Sequence, residues 1–477
     1  MQIPQEIKNI LEKLQKAGHE GYVVGGCVRD LLMKKQPKDW DITTNAKPEE
    51  IQKVFTDHVY ENDFGTVGIK LDSEDPALAI VEITPYRIEG KYTDKRHPDK
   101  IQFAEKLEDD LSRRDFTVNA IAIDANGNKV DLFEGESDTK KKIIRTVGKP
   151  EDRFSEDALR LLRAVRFATV LGFTIEEKTL KAIKDNTEWL RAISKERIRD
   201  ELVKIIESDN AYEGILLLEE TGLLQYIVPE LREGIGVEQN LHHIYTVWEH
   251  NTRTLQYTSD KKYSLAVRLA SLFHDIGKPR SKRGEGRNST FYGHEVIGAK
   301  LVSGIMERLK FPKEISGRII KMVRYHMFYY NVGEVTESSV RRLIVNIGLE
   351  NVEDLLKVRE ADRISSGRPK AVPYKLRHMK YIVDKVSHDP ISAKMLKVNG
   401  EDIMKELDIK PGPKVGLILN SLLAEVLDNP AKNKKEYLQK RIHELDKKSP
   451  EELKKSLEKI EKAVEEEEKE RMKKYYI

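Results

Sequence analysis

The stretch that decides the fold is Tyr22-Val23-Val24-Gly25-Gly26-Cys27-Val28-Arg29-Asp30, followed shortly by Asp39-Trp40-Asp41-Ile42-Thr43. An apolar run enters a Gly-Gly turn, and the pattern beyond it predicts a helix over 28–35. Residues 39–43 alternate with period two, which predicts a half-buried strand. On such a strand Asp39 and Asp41 project from one face and Trp40 from the other. Paired carboxylates on a rigid strand suit hard divalent cations that also hold a triphosphate, Mg²⁺ above all. Two such ions can activate an attacking hydroxyl and neutralise a leaving pyrophosphate. Gly25 and Gly26 let backbone amides approach phosphate at a helix start. Taken alone, an Asp-x-Asp is more often surface chance, and a Gly-Gly an ordinary tight turn.

Working outward, the sequence predicts a helix over 47–55 and strands over 67–71 and 79–84. Residues 86–107 are charged and periodless, and read as a mobile loop. Residues 118–124, the Asn126-Gly127 turn and 130–133 form a hairpin pattern. From Phe154 onward helical periodicity dominates. The expected class is therefore α+β: a small mixed sheet domain followed by a long helical body. Ser449-Pro450-Glu451-Glu452 caps a last, highly charged helix that reads as solvated.

Length and composition set the outer bounds. The chain has 477 residues, enough for about three domains, with 84 Lys+Arg against 81 Asp+Glu and a net charge of +3. Apolar runs such as 121–123 and 415–419 are far too short to cross a bilayer, which excludes a membrane protein. Residues 1–14 have no signal-peptide core, so a cytoplasmic location is expected. The single cysteine, Cys27, excludes an internal disulfide or a thiolate metal cluster. The near-neutral total says nothing against nucleic acid, since a local basic patch suffices.

Two arrays strengthen a nucleotide site. Arg113-Arg114-Asp115-Phe116-Thr117-Val118-Asn119-Ala120 places two guanidinium forks, suited to phosphate oxygens, beside groups that can read ribose hydroxyls. In the run from Arg153 to Arg163, Asp157 and Arg160 share a helical face at i,i+3 spacing. A carboxylate accepts from an amino group and a guanidinium donates to a ring nitrogen. Cytosine and adenine both show that pattern on the Watson–Crick edge, whereas uracil and guanine show a carbonyl and a ring N–H. One Asp/Arg pair would then accept CTP and ATP and reject UTP and GTP without a template. The competing reading is an i,i+3 surface salt bridge worth a few tenths of a kcal/mol.

These residues carry a family resemblance. Gly25 to Asp30, Asp39-Trp40-Asp41, Asp63-Phe64-Gly65-Thr66, Arg113 to Ala120 and Glu156-Asp157-Ala158-Leu159-Arg160 resemble, in order and spacing, the class II CCA-adding enzymes. These are tRNA nucleotidyltransferases that share a catalytic fold with bacterial poly(A) polymerases. The likeness covers 21–168 closely and continues more loosely through Ser194 to Glu201 and Gly222-Leu223-Leu224. It implies that Asp39 and Asp41 hold Mg²⁺ in a two-ion site, with Glu82 as a third carboxylate. It implies that Gly25, Gly26, Arg29 and Asp30 hold the triphosphate and its metal. Arg113, Arg114, Asp115 and Asn119 would contact phosphate and ribose, and Asp157 with Arg160 would read the base. Arg163 is grouped with these nucleotide-binding residues. The 86–107 loop matches the family's flexible segment, linked to switching from C to A addition, and argues against an enzyme adding only CC.

A second set of residues lies further on. Phe273-His274-Asp275-Ile276-Gly277-Lys278 resembles the signature of the HD phosphohydrolases, with His250 and Asp362 matching the outer ligands. His294 and His326 resemble the extra histidines of two-metal members. The resemblance implies Mn, Ni, Fe, Zn or Mg at this site and hydrolysis of 2′,3′-cyclic phosphates or phosphomonoesters. A His-Asp doublet by itself is structural more often than not. His242 and His243 are adjacent and read as structural. After Asp362, Arg363, Arg368, Lys370, Lys375 and Arg377 form a basic track with Tyr374 and Tyr381 interleaved. It fits an RNA backbone and an unstacked base, or equally a solvated loop whose tyrosines pack in a core. The expected layout is a nucleotidyltransferase head over 1–145 and a helical nucleotide-selection and RNA-binding part over 146–235. An HD domain over 236–385 and a helical tRNA-binding tail over 386–477 complete it.

The leading expectation is CCA addition to the tRNA acceptor end from CTP and ATP, with no obligate protein partner. Within the class the rivals are an A-adding enzyme and a poly(A) polymerase. Outside it stand an HD metal phosphohydrolase with a nucleotide-sensing N-terminal domain, and a non-catalytic RNA-binding scaffold.

Overall fold

A computed structural model of the chain describes residues 3–61, 65–89, 101–240, 244–328, 335–367 and 374–473. The chain divides into two compact units, Met1–Arg232 with Arg308–Lys310, and Glu233–Glu307 with Phe311–Ile477. The motif residues Asp63 and Phe64, the adjacent His242 and His243, and Arg368 and Lys370 of the basic track lie outside the described residues.

The first unit opens with α1 (Gln5–Lys16), whose Ile7, Ile10, Leu11 and Leu14 recur at helical spacing and are all buried. There follow β1 (Gly21–Val24), α2 (Gly26–Leu32), β2 (Asp41–Thr44), α3 (Pro48–Val54), β3 (His58–Glu61), β4 (Thr66–Lys70) and β5 (Ile80–Pro85). Next come β6 (Arg87–Glu89), β7 (Ile101–Phe103), α4 (Leu107–Ser112), β8 (Ile121–Ile123) and β9 (Lys129–Asp131). Seven strands form one sheet in the order β3-β4-β5-β2-β1-β8-β9. Its central pair, β2 and β5, is parallel and the other pairings are antiparallel.

The period-two alternation decides which side of this sheet is chemical. Val23, Ile42, Ile83, Ile121 and Ile123 pack with Ile7, Leu11 and Leu14 of α1, Val28 of α2, Ile51 of α3 and Trp40. Val24 and Ala122 face the other way, into a cluster with Tyr86, Leu107 and Leu111. Asp41 and Thr43 flank Ile42 on β2 and so share the α4 side. Consistently, the Thr43 hydroxyl reaches the Asp110 carboxylate of α4 at 3.2 Å.

Several expectations need adjustment. The strand expected over 39–43 starts only at Asp41, so Asp39 and Trp40 precede it. Residues 86–107 are not all loop: β6 and β7 pair antiparallel, Arg87 opposite Phe103 and Glu89 opposite Ile101. Each strand is three residues long, too short to show an alternation, and its partner is distant in sequence. The hairpin is present with Gly127 at φ 87°, but Thr117–Asn119 forms a 3₁₀ turn before β8. The strand β3 had no expectation attached.

The rest of this unit is mainly helical, with α5 (Gly135–Lys141), α6 (Pro150–Glu156), α7 (Leu159–Leu171), α8 (Glu177–Asp185), α9 (Lys195–Glu207) and α10 (Ala211–Glu220), and one short parallel pair of Ile143–Ile144 with Thr174–Ile175. Gly172, at φ 67°, ends α7 in the left-handed conformation. A Cβ on Gly214 would lie 2.5 Å from Ile205 and 2.7 Å from Thr169, so α10 presses directly on α7 and α9.

The second unit is built from helices. Val247–Asp260, Leu265–Phe273, His294–Arg308, Lys313–Tyr325 and Leu349–Ile364 carry the histidine and aspartate residues at or next to their ends and along their buried faces. A separate apolar cluster joins Leu396 and Val398 to Ile403, Ile418, Leu422, Leu438, Ile442 and Leu453. The last helix, Pro450–Lys473, begins in a reciprocal cap in which Ser449 and Glu452 exchange side-chain and backbone hydrogen bonds. Leu453 anchors its first turn, so the helix is solvated only beyond that point. Among the described residues no helix is long and apolar enough to cross a membrane.

Candidate functional site

Asp41 pairs in parallel register with Glu82, and Gly68 of β4 lies opposite Glu82 on the other side. In-register neighbours point the same way, so the Asp41 and Glu82 carboxylates rise side by side. Burial pushes the Asp41 carboxyl up to about 6, and the charges of Asp39 and Glu82 add to it against the opposing pull of Arg114. A half-buried carboxylate crowded by two others lacks positive charge, and that is the chemistry of a cation site. Asp39, although outside the strand, is therefore part of the same cluster.

The Gly-Gly turn closes over it. Gly25 has φ 85°, and a Cβ there would lie 3.5 Å from Asp41 Oδ2 and 3.3 Å from Arg114 Nη1. Only glycine combines that backbone conformation with so close an approach. Arg114 and Arg113 are held by a residue the sequence reading missed. Asp110, fully buried on α4, accepts from Arg113 Nε at 2.9 Å and Nη2 at 2.6 Å, and from Arg114 Nη2 at 3.0 Å. Burial pushes the Asp110 carboxyl up, but the Arg114 and Arg113 charges and their hydrogen bonds outweigh it and leave it below its ordinary range. The i,i+3 and i,i+4 spacing to the two arginines was the available signal.

Arg29 is placed differently from the expectation of a triphosphate ligand. It is buried, donates to Asn119 Oδ1 at 2.8 Å and to Asp30 Oδ1, and lies over the Phe167 ring. Asn119 in turn donates to Asp115, which accepts from Arg163 through Nε at 2.8 Å and Nη2 at 2.6 Å. The Arg163 guanidinium outweighs burial and holds the Asp115 carboxyl well below the usual range. Arg29, Asn119 and Asp115 thus form a relay of hydrogen-bonded side chains that leads to Arg163 at the cleft.

The arginine and aspartate residues meet in a cleft of about 250 Å³ lined by Arg113, Arg114, Asp115, Asp157, Arg160, Arg163 and Arg197. The structure corrects one detail of the sequence reading. Asp157 and Arg160 do not share a helical face, because Asp157 is extended (φ −141°, ψ 106°) between α6 and α7. Its carboxylate accepts the Leu159 N–H at 3.0 Å, a local bond that competes with the helix and breaks it. Nor do the two pair: Arg160 bonds Glu156 and the Arg153 and Arg113 carbonyls, while Asp157 pairs with Arg197. Both still line the same cleft.

The second cluster lies within the second unit and is of another kind. Around Asp275, Oδ2 is 3.2 Å from His274 Nε2 and 3.6 Å from His250 Nε2, while Oδ1 is 3.3 Å from His294 Nε2 and 3.6 Å from His326 Nε2. Asp362 Oδ1 lies 3.1 Å from His250 Nε2. Each ring's other nitrogen faces a backbone carbonyl: Ser365, Ser271, Phe291 and Val323 for His250, His274, His294 and His326. A proton on Nδ1 leaves the Nε2 lone pair for the centre. The donor atoms form two triads, His250/His274/Asp275 and Asp275/His294/His326, that share the aspartate. Burial alone lowers a histidine's proton affinity, but Asp275 and Asp362 outweigh it and push His274 up. His326, buried among other rings, is pushed down to about 4. Two further residues brace the centre: Lys278 Nζ lies 2.6 Å from Asp275 Oδ2 and donates to Gln239 at 2.7 Å, and Arg359 donates to Asp362 Oδ2 at 2.5 Å. All six expected residues come together.

Of the basic track, Arg363 is half-buried, and Lys375 and Arg377 are exposed on the helix Tyr374–Val386.

The chain is similar to known proteins along most of its length. The Poly A polymerase head domain family matches residues 21–145, the probable RNA and SrmB-binding site of polymerase A matches 172–235, and the putative tRNA nucleotidyltransferase domain 2 matches 297–442. The CCA-adding enzyme of Lactobacillus delbrueckii subsp. bulgaricus is 34% identical over 429 residues, 89% of this chain and 93% of that one. That of Limosilactobacillus reuteri is 32% identical over 440 residues, 92% and 96% of the two chains. Among solved structures, the Bacillus stearothermophilus CCA-adding enzyme in complex with CTP superposes with TM-score 0.69 at 26% identity, covering 94% of this chain and 98% of that one. The Thermotoga maritima enzyme complexed with tRNA shares the fold at TM-score 0.53 and 20% identity, covering 93% and 96%. On this identity and coverage, the chain belongs to the CCA-adding enzyme family.

Proposed function

We propose that this protein completes or repairs the 3′-terminal CCA of tRNA from CTP and ATP, without a template, and releases pyrophosphate. The observation that carries the reading is the convergence of Asp41, in register with Glu82, on the Gly25 turn and Arg114. Asp39, Asp41 and Glu82 would hold Mg²⁺, which when bound activates the RNA 3′-hydroxyl and neutralises the departing pyrophosphate. The Gly25-Gly26 backbone, with Asp30 beside it, lets the triphosphate approach the acids. Arg113 and Arg114, oriented by Asp110, donate to its oxygens. Asp115 and Asn119, set by Arg163 and Arg29, face the ribose side. Asp157 accepts from the exocyclic amine of cytosine or adenine, and Arg160 donates to the ring nitrogen. Arg363, Lys375 and Arg377 supply phosphate contacts to tRNA, and a reaction on tRNA supports reading the protein as cytoplasmic. Incubating tRNA lacking its 3′ end with each labelled nucleotide in turn tests this. C, C and A incorporation that then stops supports CCA addition; A alone, or a long A tract, supports the A-adding or poly(A) rival.

A second activity is favoured by one observation, the four imidazoles whose Nδ1 atoms are tied to backbone carbonyls around a shared aspartate. His250, His274, Asp275 and Asp362 would hold one divalent ion, and Asp275, His294 and His326 a second. Imidazole-rich donor sets suit Mn, Fe, Ni or Zn over Mg. Ions bound there supply an activated water for phosphodiester hydrolysis, with 2′,3′-cyclic phosphates and phosphomonoesters as substrates. Metal content after dialysis and hydrolysis of 2′,3′-cyclic AMP test it; a protein that retains no metal and spares the cyclic phosphate would remove this reading.

A further inference from the structure

The cleft contains one residue that neither array accounts for. Arg197, on α9, donates to Asp157 Oδ2 through Nη2 at 2.7 Å and to Oδ1 through Nη1 at 3.3 Å. Its guanidinium lies forty residues along the chain from the carboxylate it holds.

We infer that Arg197 is a positioning residue for base selection: it fixes the Asp157 carboxylate so that one acceptor direction is left for the exocyclic amine of the incoming nucleotide. The inference rests on Asp157 reading the base.

An ionised carboxylate offers about four acceptor directions. Among the described residues, Oδ1 takes the Leu159 N–H and Arg197 Nη1, and Oδ2 takes Arg197 Nη2. That leaves one direction, on Oδ2, at the cleft-facing residue. The Leu159 bond fixes only Oδ1, about which the carboxylate can still swing. The second point of the guanidinium fork removes that freedom, because two parallel contacts set the carboxylate plane. Asp157 is only 16% exposed at its side chain, so its remaining acceptor serves whatever fills the cleft. An amine hydrogen satisfies it. The carbonyl of uracil or guanine in that position sets oxygen against oxygen with no donor between them. A carboxylate free to rotate would turn away from that clash, and the penalty on the wrong base would shrink. Rigidity here is therefore what turns a contact into discrimination.

Arg160 is fixed independently, by Glu156 and the Arg153 and Arg113 carbonyls. Loss of Arg197 should then loosen one half of the reader and leave the other in place.

The test uses the full chain with tRNA ending before, and after, the two cytidines. Four variants, Arg197→Met, Arg197→Lys, Asp157→Ala and the double Arg197→Met/Asp157→Ala, are compared with the parent. The readout is the ratio of kcat/KM for CTP over UTP and for ATP over GTP. A ratio taken within one preparation is insensitive to how much protein is folded. Arg197→Met should lower both ratios about tenfold, as expected for a hydrogen bond worth roughly 1.4 kcal/mol. Arg197→Lys, which keeps the charge and loses the fork, should fall between. The double variant should be no less selective than Asp157→Ala. Parental ratios in Arg197→Met, or an equal loss for all four nucleotides, would overturn the inference while a relaxed Asp157→Ala kept the base reading intact. Parental ratios in Asp157→Ala would overturn the base reading itself.

Discussion

The two polar clusters of this chain are built on opposite plans. The first unit sets the Asp41 acids, partly exposed on their strand beside the glycine turn, next to an arginine-rich cleft to which the end of a short helix and a helix break contribute. The histidine cluster of the second unit is sealed, with His250, His274 and His326 at 0% exposure and each ring fixed through a backbone carbonyl. An open site of partly solvated acids suits ions that arrive and leave with a triphosphate at every turnover. A sealed nest of imidazoles suits ions that stay. On the proposed reading the first site would serve exchange and the second residence, and the difference lies in what surrounds them.

The largest expected effect breaks the comparison at its first arm. Asp41→Ala should cut nucleotide incorporation at least ~10³-fold, since a metal ion contributes several kcal/mol to stabilising transition-state charge. Binding of tRNA, measured by gel shift, should survive, and normal turnover would refute the metal assignment. The second arm is tested by His274→Ala. This change should abolish metal retained through dialysis and reduce cyclic-phosphate hydrolysis at least ~100-fold, given that even outer partners of metal ligands matter at 10–100-fold. Elemental analysis reads it directly, and full metal content in the variant would contradict a resident site.

Smaller effects sharpen the contrast. Asp157→Ala or Arg160→Ala should lower the preference for CTP over UTP and ATP over GTP about 10 to 100-fold, the range for one lost polar contact that leaves a partner unpaired. Competition assays with mixed nucleotides would show no change if these residues were only structural. Last comes pH. Asp41 is raised to about 6, so between about 4 and 6 the metal-free native state binds more protons than the unfolded chain. Metal-free stability therefore falls as pH rises through that window. Mg²⁺ must displace the proton, so the Mg²⁺ needed for half-maximal incorporation should rise about tenfold per pH unit below about 6. A requirement that stays flat from pH 5 to 7 would place the titration elsewhere.

What the sequence made legible was what is local. Asp39, Asp41 and the Gly25-Gly26 turn announce themselves within twenty residues, because strand alternation and a glycine-marked turn are short-range signals. The six clustered histidine and aspartate residues were singled out through motif spacing, although their convergence depends on five helices. Asp110 and the role of Arg197 were missed because each acts on a residue through tertiary geometry: Asp110 reads as one acid among three in α4, and Arg197 as one residue of the Ser194–Glu201 likeness with nothing nearby to mark its partner. The i,i+3 spacing of Asp157 and Arg160 suggests one continuous helix, whereas an aspartate also favours a cap position, and its side-chain bond to the Leu159 N–H makes the break. The β6–β7 pairing was hidden for the same reason that long-range ladders always are, since neither strand carries its partner's position.

The side-by-side placement of Asp41 and Glu82 has a consequence for how this chain can change length. One residue inserted into Ile80–Pro85 ahead of Glu82 would turn that carboxylate through the sheet to the apolar side. The same insertion in the connection between β4 and β5 leaves the pairing untouched. Tolerance of insertions across this short region should therefore switch from permissive to lethal within a few positions.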